Sequence, residues 1–124
     1  LRILVAEDDT TNQLVMQNIL RKYGYECDLA ATGVQAVEAV RQKAYDVVFM
    51  DIQMPDLDGV QAAKEIRKLG LKDRAGLIIG LTAHALQEDR QACINAGMDD
   101  YLCKPVEPDV FQKLLARIAG GETA

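Results

Sequence analysis

Five side chains of this 124-residue sequence could do chemistry together: Glu7, Asp8, Asp51, Thr82 and Lys104. Each stands directly after a short apolar run or beside a residue that does. Residues 2–6 end in Glu7, Asp8 and Asp9; Val47 to Met50 end in Asp51; Leu77 to Leu81 end in Thr82; Tyr101 to Cys103 are closed by Lys104 and Pro105. Carboxylates gathered in one crevice repel one another unless a cation neutralises them. Hard oxygen ligands with vacancies for water suit Mg²⁺, which is held through one or two carboxylates plus phosphate oxygens. A carboxylate beside that ion, a lysine and a hydroxyl makes a phosphoryl acceptor: Asp can be the nucleophile, as in enzymes that form an aspartyl phosphate. The metal and the lysine would stabilise charge on the transferring group. A lone Asp closing a strand is more often a cap or turn residue, so the case rests on the whole set.

The set meets only if the apolar runs lie side by side and point the same way. Val47 to Met50 run without alternation and are followed by turn signals at Met54-Pro55 and Asp58-Gly59, the mark of a strand buried on both faces in a parallel sheet. In open α/β sheets the carboxyl ends of such strands form the ligand crevice. Five strands are expected, at 2–6, 26–31, 46–50, 77–81 and 101–103, alternating with five helices. The first helix is capped by Thr10, Thr11 or Asn12, carries Val15, Met16, Ile19, Leu20 and Tyr23 inward and stops at Gly24. The second opens at Thr32-Gly33 with Ala36, Val37, Val40 and Ala44 on one side. The third runs from Gly59 to Leu69 around Val60, Ala63 and Ile66, and 70–76 is a loop. The fourth spans 86–96, with Ala92, Cys93 and Ala96 on one side and Gln87 to Arg90 facing water. The last starts at Pro108 with Val110, Leu114, Leu115 and Ile118 inward. This alternation implies an α/β, three-layer fold with right-handed crossovers. One domain is expected over 1–120, with 121–124 a frayed tail.

An apolar fraction of 49% is that of a globular chain, and a net charge of −5 argues against nucleic acid or anionic lipid as partner. A protein partner and a cytoplasmic location, without direct membrane contact, are the expectation, since no stretch reads as a membrane span or signal peptide. Cys27, Cys93 and Cys103 lack zinc spacing and read as small buried hydrophobes. Met50, Met54 and Met98 read as packing. The start at Leu1 suggests a segment cut from something longer.

Over essentially its whole length the sequence resembles a response-regulator receiver domain. The matching segments are Ile3 to Asp8, Asp46 to Pro55 with Asp58-Gly59, Leu81 to Ala83 and Lys104-Pro105, specific in this order and spacing. The resemblance implies a flavodoxin-like (βα)5 sheet of order 2-1-3-4-5, with Asp51 phosphorylated on its carboxylate. It implies Mg²⁺ or Mn²⁺ held by Asp8, Asp51 and the Gln53 backbone carbonyl, with Glu7 acting through water. Lys104 would pair with phosphate, Thr82 and Tyr101 would form a switch pair, and the Lys104–Pro105 bond would be cis. Such a domain catalyses its own phosphotransfer and autodephosphorylation and takes phosphate from a histidine phosphotransfer domain or a histidine kinase. The wording of Val5 to Asp8, Asn12-Gln13 and Ala96 to Leu102 is that of receivers in hybrid sensor kinases, which would make this the cytosolic portion of a larger, membrane-anchored kinase. Val15 and Met16 would then offer apolar contact to the donor. A stand-alone or output-linked regulator, phosphorylated directly by a kinase, is the alternative.

Asp9 departs from the family and reads as a helix-initiating or loop residue, and His84 as a surface residue. An aspartyl-nucleophile phosphatase would want a second Asp two residues after the first, where Gln53 stands. A flavin carrier would want a Ser/Thr/Gly-rich phosphate loop where Glu7-Asp8-Asp9 stand. A pseudo-receiver is disfavoured by the intact Asp51, Thr82 and Lys104.

Overall fold

Chain order in the computed structural model is β1 (Ile3–Ala6), α1 (Thr10–Lys22), β2 (Cys27–Ala30), α2 (Gly33–Gln42), β3 (Val47–Asp51), α3 (Gly59–Lys68), α4 (Lys72–Ala75), β4 (Leu77–Thr82), α5 (Gln87–Ala96), β5 (Asp100–Cys103) and α6 (Pro108–Ala119). The described residues are 1–52, 54, 58–82, 87–104 and 107–119; Lys72 and residues 87–90 are described by their backbone alone. Gln53, His84, Pro105 and the 121–124 tail, with the readings made for them, lie outside them, as do the side chains of Gln87 to Arg90.

All four strand ladders are parallel and the order is β2-β1-β3-β4-β5, the arrangement that the resemblance implies. Winding reverses between β1 and β3, so the loops after these two strands part and leave a crevice at their carboxyl ends. β1 and β3 are buried along their full length, as continuous apolar runs require. Alternate residues feed two cores. Leu4, Ala6, Val48, Met50 and Ile78 join α2, α3, Ala75 of α4 and α5, while Ile3, Val5, Phe49, Ile79 and Leu81 join α1 and α6. Met50, Met54 and Met98 pack in the first of these.

Several local expectations are corrected. The cap of α1 is Asp9, whose carboxylate accepts from the amides of Thr11 and Asn12, rather than Thr10, Thr11 or Asn12. Two ionic hydrogen bonds at a helix N-terminus outcompete a hydroxyl further along. Val15 is turned out, 49% exposed, while Met16 is 4% exposed. In α6 the core residue is Phe111, whose ring lies 4.6 Å from that of Phe49; Val110 is exposed, because Phe111 and Leu115 at i and i+4 fix the buried face. The loop expected at 70–76 contains the one-turn helix α4, which places Ala75 in the core and lets the Arg74 guanidinium donate to the Val40 carbonyl. Of the cysteines only Cys93 is buried; Cys27 is half-buried and Cys103 exposed. Among the described residues no helix is long and apolar enough to cross a membrane.

Candidate functional site

The strand ends deliver Glu7, Asp8, Asp51, Thr82 and Lys104 to one edge of the sheet. Asp51 is the last residue of β3, in register with Leu81 of β4, and the next amide, Ile52, bonds back to the Leu81 carbonyl. Behind it, the Gly59 amide donates to the Ile52 carbonyl, and a Cβ at position 59 would overlap the Asp51 carbonyl. Glycine is needed there so that α3, capped by Asp58 on the Gln61 amide, can start against the strand it supports.

Glu7 follows β1 directly. Its amide donates to the Ala30 carbonyl of β2, so its backbone continues the sheet by one bond. Its side chain is 1% exposed, with Oε1 accepting from the Asp9 amide and Oε2 accepting from Lys104. A buried carboxylate needs such partners, since desolvation without them is costly. Lys104 is held by its amide, which donates to the Thr82 carbonyl at 2.7 Å and extends the β4–β5 ladder beyond Cys103. From there Lys104 Nζ bridges Glu7 Oε2 at 2.8 Å and Asp51 Oδ2 at 2.7 Å. Burial disfavours the ammonium charge, but the hydrogen bonds and charges of Asp51 and Glu7 outweigh it and hold the Lys104 pKa above its ordinary value.

Ligand oxygens of Glu7, Asp8 and Asp51 lie within 4.8 Å of one another. Opposite ligands of an Mg²⁺ octahedron are about 4.2 Å apart, so this spacing is close to what a small hard cation requires. Three carboxylates face one ammonium, so the cluster has negative charge to spare. The donor set, all oxygen, therefore fits Mg²⁺ or Mn²⁺. The sequence readings that assign Glu7, Asp8, Asp51 and Lys104 to one place agree with this geometry.

Thr82 is buried at the end of β4, one strand from Asp51, and pairs in register with Cys103. Tyr101 is opposite Gly80, half-buried and packed against the core shared with α3 and α5. Sequence reasoning missed Gln13, whose side-chain amide donates to the Glu7 carbonyl at 2.6 Å; a carboxamide one turn into a helix that begins beside a site is the signal that would have found it.

Residues 3–116 match the response regulator receiver domain. The chain belongs to this family. It is 43% identical to the receiver domain of sensor histidine kinase PA1611 from Pseudomonas aeruginosa, whose crystal structure has a magnesium ion coordinated in the active site cleft; the match covers 96% of this chain and 97% of that one, with a TM-score of 0.86. It is also similar to the receiver domain of the yeast response regulator Ssk1, crystallised with the histidine phosphotransfer protein Ypd1 of Saccharomyces cerevisiae: 32% identity, TM-score 0.86, covering 94% and 87%. Among curated proteins, it is 40% identical over 114 residues to sensor histidine kinase RcsC of Salmonella typhimurium and 37% identical over 121 residues to sensor protein GacS of Pseudomonas syringae. These matches take in 92% and 96% of the receiver chain but only 12% and 13% of those relatives.

Proposed function

We propose that this receiver accepts a phosphoryl group on Asp51 from a phosphohistidine and relays it within a phosphorelay. The observation that carries the reading is the bridge of Lys104 between Glu7 and Asp51 inside a cluster of three carboxylates. Asp8 and Asp51 would hold Mg²⁺ or Mn²⁺, with the Gln53 carbonyl as the further ligand that the family resemblance implies and Glu7 acting through water. When bound, the ion offsets the charge of the carboxylates and of the incoming phosphoryl oxygens. An Asp51 carboxylate oxygen attacks phosphorus, the N–P bond to the donor imidazole breaks as the O–P bond forms, and the electron pair returns to the imidazole nitrogen. Lys104, already 2.7 Å from Asp51, keeps its ion pair with Glu7 and turns its remaining protons to the phosphoryl oxygens. Thr82 donates its hydroxyl to the same group, and Tyr101 follows it inward. That coupling biases the surface formed by α5, β5 and α6, because phosphate gives the contact that distinguishes the two states.

The donor must reach Asp51 in line, so it covers the carboxyl edge and the start of α1, where Leu14 (58% exposed) and Val15 offer apolar contact; Met16, being buried, does not. A histidine phosphotransfer domain with basic residues around its histidine suits the acidic rim. The sequence wording and the similarity to RcsC and GacS support a place in a hybrid sensor kinase. The family match over residues 3–116 supports domain limits of 1–120.

Acetyl phosphate with Mg²⁺ should add one base-labile phosphoryl group to the parent chain by intact mass, and none to Asp51→Asn. Equal labelling of both would refute the assignment. Incubation with phosphorylated histidine phosphotransfer proteins should transfer label within minutes. Transfer only from a separate kinase dimer would support the stand-alone regulator instead.

A further inference from the structure

The geometry points to Gln13 as a positioning residue for the cation site, acting through the Glu7 carbonyl. β1 and β3 are last joined at the Ala6–Met50 pair, so the Glu7 carbonyl lies one residue past that ladder. It accepts the Gln13 side-chain amide at 2.6 Å, a bond that reaches back six residues from α1 to the strand end. A peptide group is planar, so fixing this oxygen also fixes the N–H of Asp8 and the direction in which Asp8 leaves the strand. On its other side Asp8 is followed by Asp9, tied by its amide to Glu7 Oε1 and by its carboxylate to the Thr11 and Asn12 amides. Asp8 thus hangs between two anchored residues, and Gln13 holds one of the anchors.

The tie opposes a definite force. Glu7, Asp8 and Asp51 carry like charges with ligand atoms within 4.8 Å of one another, and without a cation their repulsion drives the loop after β1 outward. Gln13 resists because its own backbone is fixed: its amide donates to the Asp9 carbonyl at 2.9 Å, and α1 is rooted by the buried Met16 and Leu20. A carboxylate held near its ligating position loses less freedom when it binds a cation. Losing Gln13 should therefore weaken Mg²⁺ binding and leave the rate at saturating Mg²⁺ unchanged.

This inference rests on the proposed reading for the identity of the cation. The test compares the parent with Gln13→Met, which keeps length and helix preference but has no donor, and with Gln13→Asn, which has a donor that falls short. Mg²⁺ titrations are followed by amide NMR shifts of residues 7–9 and 51, and hydrogen exchange is measured on the metal-free protein. Both variants should need about three- to tenfold more Mg²⁺ for half-saturation, the scale of one hydrogen bond. Phosphorylation by acetyl phosphate at saturating Mg²⁺ should stay within about twofold of the parent. Exchange should quicken at Asp8 and Asp9 while Ile3 to Ala6 and Met16 to Leu20 keep their protection. An unchanged half-saturation overturns the inference, and so does a weakened one accompanied by equally faster exchange throughout β1 and α1, which would mark a general loss of stability. A parent that shows no Mg²⁺ saturation at all overturns the cation reading itself, and is thereby distinguished from failure of Gln13 alone.

Discussion

Among the described residues, Lys104 and Lys43 each join a lysine–aspartate cluster, and the two differ in their balance of charge. At the carboxyl edge, Lys104 bridges Glu7 and Asp51 while Asp8 stands beside them, so one ammonium answers three carboxylates. On the edge strand β2, Lys43 Nζ and the Tyr45 hydroxyl both donate to Asp28 Oδ2, at 2.9 and 2.7 Å, and the lysine also lies 5.5 Å from the tyrosine ring centroid. There one carboxylate meets one ammonium and one phenol, and the charges close. The lysine–carboxylate distances are nearly equal, so proximity is not what separates the clusters. The difference is stoichiometry and burial: Glu7 and Asp51 are buried with charge left over, whereas Lys43 and Asp28 are half in water and neutral as a pair. A surplus held in place by the backbone attracts a cation and a phosphoryl donor; a closed, solvated pair covers the end of a sheet and protects its edge.

Removing each lysine separates the two most strongly. Lys104→Ala should lower the rate of labelling by acetyl phosphate by about 10²-fold, the scale of losing one preorganised donor to a transferring group. Lys43→Ala should leave that rate unchanged. Next in size is the metal. Asp8→Ala should weaken Mg²⁺ binding about tenfold or more, equivalent to about 1.4 kcal/mol, and Asp28→Asn should not alter it, as an Mg²⁺ titration by NMR or calorimetry would register. Without metal, Asp8→Ala should raise the unfolding midpoint, since it relieves repulsion that Lys104 only partly offsets.

Smaller effects belong to the edge cluster. Tyr45→Phe should cost about 0.5–1.5 kcal/mol in urea unfolding, at the low end because solvent reaches Asp28, with labelling of Asp51 intact. The hydrogen bond from Tyr45, and then that from Lys43, holds the Asp28 carboxyl below its ordinary range. Its contribution to stability is present above the unfolded carboxyl pKa of about 3.9 and is lost as pH falls through the lower folded value. The stability gap between the parent and Asp28→Asn should therefore narrow in acid below about pH 4. Lys104 has the opposite sense: its raised pKa gives a contribution present below about pH 10.4 and lost as pH rises through the folded value. Paired unfolding curves across pH would show the Asp28 contribution lost in acid and the Lys104 contribution lost in alkali.

Much of this contrast was legible in the sequence, but unequally. The strands of the carboxyl edge were readable because burial on both faces leaves unbroken apolar runs, and a residue that ends such a run has its place in the crevice decided by topology. Asp51, Glu7, Asp8 and Lys104 were found that way. Asp28, Lys43 and Tyr45 were not, because a half-exposed edge strand and the residues after a helix carry no such pattern. Helix faces were misjudged where periodicity admits two phases. Val110 and Phe111 differ by one position, and only the contact with Phe49 decides between them. Capping was misassigned because Asp9, Thr10, Thr11 and Asn12 are all competent caps and the choice depends on where β1 releases the chain.

The claim that the carboxyl-edge surplus exists to make Asp51 a phosphoacceptor is tested most directly by trapping the product. The protein, phosphorylated with acetyl phosphate and Mg²⁺, is reduced with borohydride, which converts an aspartyl phosphate to homoserine, and the peptides are mapped by mass spectrometry. Homoserine at position 51, with Glu7, Asp8 and Asp28 unmodified, is the expected result. Reduction product at Glu7, Asp8 or Asp28 in place of Asp51, or none anywhere in a protein that has taken up label, would contradict it.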